Sequence, residues 1–277
     1  MTGIHASRPP RGDRAYVTLV TSDDYATGAN ALIRSLNQTG TEADIAVLHT
    51  GGVSSGRLEE LERLGVRLCG VDLLPTSAAF NNAHAREVLH RVAPFDKGDK
   101  PPLHTPLDNF TKLRLWQLDY ARCTFIDADA LAMQNCDRLF EYPEFCAAPN
   151  VYESEADFHR MNSGVFTARP SQATFDHMFE TLDVPDAFWR RTDQTFLQTY
   201  FTDWHGLPHH YNVLQYVWFN LPKLWNWKSM HILHFQYEKP WQTPHGKADQ
   251  LRPLIDLWTT IAEGGPLPDL AKMPNPE

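Results

Sequence analysis

The chain has 277 residues, 42% hydrophobic and 21% charged, which suits one large α/β domain or two small ones with a true core. A formal net charge of −9 argues against general nucleic-acid binding, which needs a basic footprint; an anionic nucleotide would need a local cation or metal. No apolar run reaches the ~18 residues that span a bilayer, and residues 1–13, polar and carrying Pro9 and Pro10, read as a loose tail without a signal-peptide core.

In chain order, 16–20 is a β-rich run followed by Thr21, Ser22, Asp23 and Asp24, all good helix N-cap types. Ala29, Leu32, Ile33 and Leu36 then recur at helical spacing, and 37–40 supplies the stop. A second strand is expected over 45–48, a second amphipathic helix around Leu58, Leu61 and Leu64, and a third strand over 66–71. This alternation predicts a parallel sheet with helices on both faces. The stretch 76–108 is long, polar and rich in proline, and reads as a flexible or ligand-ordered cover. Phe110, Leu113 and Trp116 restart a helix, and 123–126 is a buried-type strand. A further strand is expected over 161–167, with helices over 175–182, 193–201 and 251–261 and a tail at the end. Aromatic residues crowd the chain after Trp204 and are available for a homodimer contact. Cys69, Cys123, Cys136 and Cys146 lack zinc-like spacing and read as buried thiols of a reducing compartment, so a cytoplasmic protein is expected.

The sharpest local signal is Phe125-Ile126-Asp127-Ala128-Asp129. An apolar strand delivers two carboxylates at its C-terminal end, the ligand-binding end of an open α/β sheet. Alternate residues of an extended chain share a face, so Asp127 and Asp129 can reach one point, where a hard cation such as Mg²⁺ or Mn²⁺ would offset their repulsion. Two solvated or capping aspartates are the plainer alternative. Downstream, 231–241 reads HILHFQYEKPW. His234 there can complete a mixed oxygen–nitrogen site, which tilts the metal toward Mn²⁺, and Lys239 offers a point charge to a diphosphate. Met161-Asn162-Ser163-Gly164 offers an amide and a close backbone approach to sugar hydroxyls, or is a turn before a strand. Asp193, in Thr192-Asp193-Gln194, either caps a helix or accepts from a sugar, and Lys112 alone would be a solvated helix lysine.

Taken in order, the stretches RAYVTLVTSDDYATGANAL, FTKLRLWQLDYARCTFIDADALAMQNCDRLF, CAAPN, MNSGVFTARPS, TDQTFL and HFQYEKPW resemble glycosyltransferase family 8, and within it the glycogenin-like members. The resemblance implies an α/β protein of the GT-A fold, with a nucleotide-binding half continuous with an acceptor half. It places one domain over 14–245 and a C-terminal helix and tail over 246–277. It implies that Asp127, Asp129 and His234 ligate Mn²⁺, with Mg²⁺ as the alternative, and that Leu19, Thr21, Ser22 and Tyr25 face the uridine of a UDP-sugar. Lys112, Ala128, Asn162, Ser163, Asp193, Gln194 and Lys239 complete the donor-binding set. Transfer in this family retains the anomeric configuration, with Asp193, Lys112 and Gln194 as the catalytic candidates.

Three departures surround the implied sugar and diphosphate positions. Asn150 stands where glycogenin-like members have Asp, Arg190-Arg191-Thr192 replaces an acidic stretch, and Tyr237 replaces a glycine. Paired arginines suit a carboxylate, so a uronic-acid donor joins glucose and galactose as a candidate. The family's self-glucosylated tyrosine falls near Trp218 and Phe219, which carry no hydroxyl, so an external hydroxyl acceptor is expected. A self-glycosylating primer and a non-catalytic nucleotide-sugar-binding scaffold are the remaining readings. A glycoside hydrolase is disfavoured, because Asp127 and Asp129 are too close to flank a glycosidic bond.

Overall fold

A computed structural model of the chain describes residues 3–84, 106–184 and 192–276. Its strands are β1 (His5–Ala6), β2 (Arg14–Val20), β3 (Asp44–His49), β4 (Arg67–Gly70), β5 (Arg122–Ile126), β6 (Ala130–Ala132), β7 (Cys146–Pro149), β8 (Met161–Ala168), β9 (His205–Gly206), β10 (Val213–Leu214) and β11 (Ile232–His234). Its α-helices are α1 (Asp23–Gln38), α2 (Ser55–Glu62), α3 (Ala78–Ala83), α4 (Pro106–Phe110), α5 (Gln172–Leu182), α6 (Asp193–Tyr200), α7 (Val217–Asn220) and α8 (Ala248–Ala262). The central sheet runs β1-β4-β3-β2-β5-β8-β7-β9, and a small second sheet runs β10-β11-β6. The pairs β2–β3, β3–β4, β2–β5 and β7–β9 are parallel, while β8 is antiparallel to both β5 and β7. The α/β class and mostly parallel sheet therefore match the sequence reading.

Alternation along the strands divides the core. Tyr16, Ile45, Val47 and Leu68 face one side, where Ala26, Ala29, Leu32, Ile33 and Leu36 of α1 cover them. Ala15, Val17, Ala46 and Leu48 face the other, under Leu113, Trp116, Phe175 and Phe196. Each fully buried Leu or Ile contributes roughly 1.5–3 kcal/mol, so these faces fix the strand register. A third cluster joins Ala31 of α1 to Leu131, Leu233, Phe235 and the inner face of α8. The aromatics after Trp204 largely serve this protein's own core, with Trp225 and Trp227 buried in the third cluster.

Four local readings need correction. The N-terminal segment is not a loose tail over its described part, since β1 pairs with β4 and Arg8 bonds Asp44. Residues 111–117 wind as a 3₁₀ helix, with every side chain from Thr111 to Trp116 buried; no solvent face remains to impose an α period. Within the stretch read as a cover, Ser77 caps α3 and Phe80 is fully buried. Residues 85–105 of that stretch lie outside the described residues. At the other end, the Trp227 indole donates to the Pro274 carbonyl at 2.8 Å and Leu267 N–H to Gln38 Oε1 at 2.8 Å, so this tail lies on the body. No described helix is long and apolar enough to cross a membrane.

Candidate active site

The site forms where β5 ends. Phe125 and Ile126 are buried and pair with Phe166 and Val165 of β8, which carries Asp127 to the C-terminal edge of the sheet. The Asp127 N–H donates to the Gly164 carbonyl at 2.8 Å, and just after Asp129 the chain enters β6. β11 pairs antiparallel with β6, His234 opposite Ala130, and this register brings the imidazole to the aspartates. Ligand atoms of Asp127, Asp129 and His234 all lie within 4.8 Å of one another. His234 Nε2 is 3.3 Å from Asp129 Oδ1 and 4.0 Å from Asp127 Oδ2. Two carboxylates and an imidazole nitrogen form a mixed oxygen–nitrogen donor set, so the residues fit a divalent cation.

Two lysines flank this triad. Lys112, almost wholly buried, sits 2.8 Å from Asp193 Oδ2 and 3.3 Å from Asp127 Oδ1. Burial disfavours its charge, but Asp127 and Asp193 outweigh that and raise the ammonium above the ordinary lysine range. Lys239 pairs with Asp129 and donates to the Phe235 carbonyl at 2.9 Å. The two aspartates are thereby pushed apart. Burial raises Asp127, with Lys112 only partly opposing it. Burial acts the same way on Asp129, but Lys239 and then His234 hold that carboxyl well below its usual range. Neighbouring acids driven in opposite directions mark functional sites more often than structural ones.

The predicted sugar-side residues meet here. Thr192 supplies the side-chain cap of α6, accepting from Thr195 N–H, so Asp193 points inward with 4% exposure. Asp193 Oδ2 accepts from Ser163 Oγ at 2.7 Å, and Gln194 Oε1 from Ser163 N–H at 3.3 Å. Asn162 bonds Asn150 at 2.9 Å and Asn212 at 2.8 Å. Among the residues predicted to face the nucleotide, Ser22 caps α1 through Tyr25 N–H. Tyr25 is desolvated, and after burial the charges of Asp129 and Asp127 do most to push its phenol above the ordinary value. Gly28 makes this approach possible, because a Cβ there would fall 2.6 Å from both the Ala128 carbonyl and the Trp241 ring. Trp241 closes the rim, its indole donating to Asp24 Oδ1 at 2.9 Å. Leu19 and Thr21 lie at the end of β2 and just beyond it. Arg190 and Arg191 lie outside the described residues.

The tyrosine that replaces a glycine has a backbone consequence. Tyr237 sits at φ 64°, alone in positive φ among the described non-glycine residues. That conformation costs a bulky side chain roughly 1–2 kcal/mol. In partial return its hydroxyl meets that of Tyr152 at 2.7 Å and its ring lies 5.2 Å from Tyr216. Sequence reasoning missed Asn212, which accepts from His234 Nδ1 at 2.9 Å. It lies two residues before Leu214, which is opposite His234 in the β10–β11 pairing, and only that register reveals it.

Comparison with known proteins covers the part of the chain that builds this site. The sequence matches glycosyl transferase family 8 over residues 16–244. It is 31% identical over 254 residues to UDP-glucuronate:xylan alpha-glucuronosyltransferase 2 of Arabidopsis thaliana, covering 87% of this chain and 38% of that protein. It is 30% identical over 244 residues to glycogenin-1 of Caenorhabditis elegans, covering 84% and 51%. The chain thus spans about half or less of these relatives' length. A crystal structure of the galactosyltransferase LgtC with donor and acceptor sugar analogs superposes with a TM-score of 0.59 at 13% identity, covering 92% of this chain and 98% of that one. That likeness establishes the GT-A fold.

Proposed function

Because the chain belongs to glycosyltransferase family 8, we propose that it transfers a sugar from a UDP-sugar to an external hydroxyl acceptor, with Mn²⁺ and with retention of anomeric configuration. The carrying observation is the convergence of Asp127, Asp129 and His234 at the end of β5, flanked by Lys112 and Lys239. Asp127, Asp129 and His234 would hold the cation, which supplies Lewis-acid neutralisation of the leaving diphosphate. Lys239 adds a compact positive charge for the phosphates. Tyr25 stacks on the uracil, with Leu19, Thr21 and Ser22 along the nucleoside. Asn162, Ser163 and Gln194 orient the sugar.

Asp193 has one oxygen already shared by Lys112 and Ser163. It is therefore better suited to stabilise positive charge at the anomeric carbon than to attack as a free nucleophile. The acceptor enters on the face that the diphosphate leaves, and its proton passes to the departing phosphate oxygen.

A second reading concerns the donor. Relatives named for UDP-glucuronate match at the same level as glycogenin, and Arg190-Arg191 replaces an acidic stretch. A uronate donor thus stands beside a neutral hexose. Both readings are tested by screening UDP-sugars, including UDP-glucuronate and UDP-glucose, for Mn²⁺-dependent hydrolysis and following the released anomer by NMR. Retained sugar released only with metal supports transfer. Undiminished hydrolysis in excess chelator, or inverted product, contradicts it. Preference for UDP-glucose would set the uronate reading aside.

A further inference from the structure

Resting on the proposed metal role of His234, we infer that Asn150, Asn162 and Asn212 form a relay that fixes the proton on the His234 ring, with Asn212 as the positioning residue. The argument starts from a donor whose identity is unambiguous. Gly164 offers a backbone N–H, and it donates to Asn162 Oδ1 at 2.8 Å. That bond settles which amide atom of Asn162 is oxygen. The same oxygen accepts from Asn212 Nδ2 at 2.8 Å, while Asn162 Nδ2 donates to Asn150 Oδ1 at 2.9 Å. Asn212 must then turn Oδ1 toward His234 Nδ1, 2.9 Å away. An amide oxygen has only lone pairs, so Nδ1 carries a proton, and Nε2 is the nitrogen that faces Asp127 and Asp129.

The ring cannot escape this arrangement. Asn150, Asn212 and His234 are 6%, 2% and 5% exposed and Asn162 is half-buried, so water has little access to the His234 end of the relay. The imidazole also lies flush against Gly164, where a Cβ would fall 2.4 Å from Cε1 and 2.6 Å from Nδ1. The relay crosses the fold, from the end of β7 through β8 to the segment before β10 and then to β11. Partners that hold a ligating histidine in one tautomer, with the other ring nitrogen presented to the cation, strengthen metal binding.

The test needs no turnover. Long-range ¹H–¹⁵N spectra of metal-free protein in mildly alkaline buffer, with the ring assigned through His234→Gln, should place the wild-type proton on Nδ1. Asn212→Asp keeps an oxygen against Nδ1 and should keep that tautomer, whereas Asn212→Leu should lose it. Mn²⁺ affinity, read from the free-ion paramagnetic resonance signal without nucleotide, should fall about 10–100-fold in Asn212→Leu. A wild-type ring with a bare Nδ1 overturns the inference, whether or not the leucine variant folds. So does an Asn212→Leu protein with either readout unchanged. If no UDP-sugar turns over, the transferase reading fails while the tautomer result stands, and a failed relay leaves that reading intact.

Discussion

Buried charge gathers at both ends of the central sheet, and the two gatherings are built differently. At the N-terminal end of β3, Asp44 accepts from Arg8, from Arg11 N–H at 2.9 Å, from Ile45 N–H at 3.0 Å and from the Tyr120 hydroxyl at 2.8 Å, while Arg67 pairs with Asp119 nearby. Two carboxylates face two guanidiniums there. Burial works against Asp44's charge and Arg8 overcomes it; Arg67 lowers Asp119 directly, so both acids lie below their ordinary range. At the C-terminal end, Asp127, Asp129 and Asp193 gather around Lys112, Lys239 and His234, and the two neighbouring aspartates are driven in opposite directions. In the first set each carboxylate is paired with a guanidinium, so breaking it should cost stability. The second brings ligand atoms of Asp127, Asp129 and His234 together at one point, an arrangement able to take a cation. Breaking it should cost activity.

The largest expected effect is at the second set. Asp129→Asn should lower Mn²⁺-dependent UDP-sugar hydrolysis at least ~1000-fold, about 4 kcal/mol of barrier. Its cost in unfolding free energy should stay below that of Asp44→Asn, since Asn keeps an oxygen toward Lys239 and the loss of a carboxylate that repels Asp127 offsets part of the cost. Hydrolysis assays beside urea melts check both halves, and a variant that unfolds while its folded fraction keeps full activity would erase the contrast.

Asp44→Asn is the mirror experiment. It should cost about 3 kcal/mol of stability by stranding Arg8 and weakening the bonds to Arg11 and Tyr120, with Mn²⁺ affinity unchanged. The pH dependence follows from the depressed pKa of Asp44 in the folded state. The stability it supplies is complete above the unfolded carboxylate value of about 3.9 and is lost as pH falls through the lower folded value. The gap between wild type and variant in urea melts should therefore close below that point. A gap that widens on acidification would contradict the assignment.

How much of this was legible in sequence follows the same division. The β2–α1–β3 unit shows itself through strand and helix periods and the Ser22 cap, because long buried faces impose a repeat. Asp127 and Asp129 are placed by the apolar strand before them. His234 came from motif resemblance, since β6 and β11 are three residues each and too short to show a period. Asn212 was invisible for that reason. The Asp44 network was hidden because Arg8 and Arg11 sit in a polar, proline-bearing segment, and nothing local tells an arginine that its partner lies 33 or 36 residues away.

Smaller effects sharpen the picture at the rim. Tyr25→Ala should weaken UDP binding by about 2 kcal/mol if the ring stacks on uracil. Equal affinity of wild type and variant in calorimetry would remove Tyr25 from the base pocket. At Tyr237, Gly should be more stable than Ala by about 1 kcal/mol, the reverse of the usual order, because alanine keeps the positive-φ strain without the ring contacts. Thermal melts of the two variants decide the sign.

The central claim is the proposal that Asp127, Asp129 and His234 at the end of β5 hold a cation for a nucleotide diphosphate. Calorimetric titration of UDP into the wild-type protein, with Mn²⁺ and then with excess chelator, tests it most directly. The account predicts at least about tenfold tighter binding with the metal, roughly 1.4 kcal/mol or more. UDP binding of equal strength in chelator would contradict it.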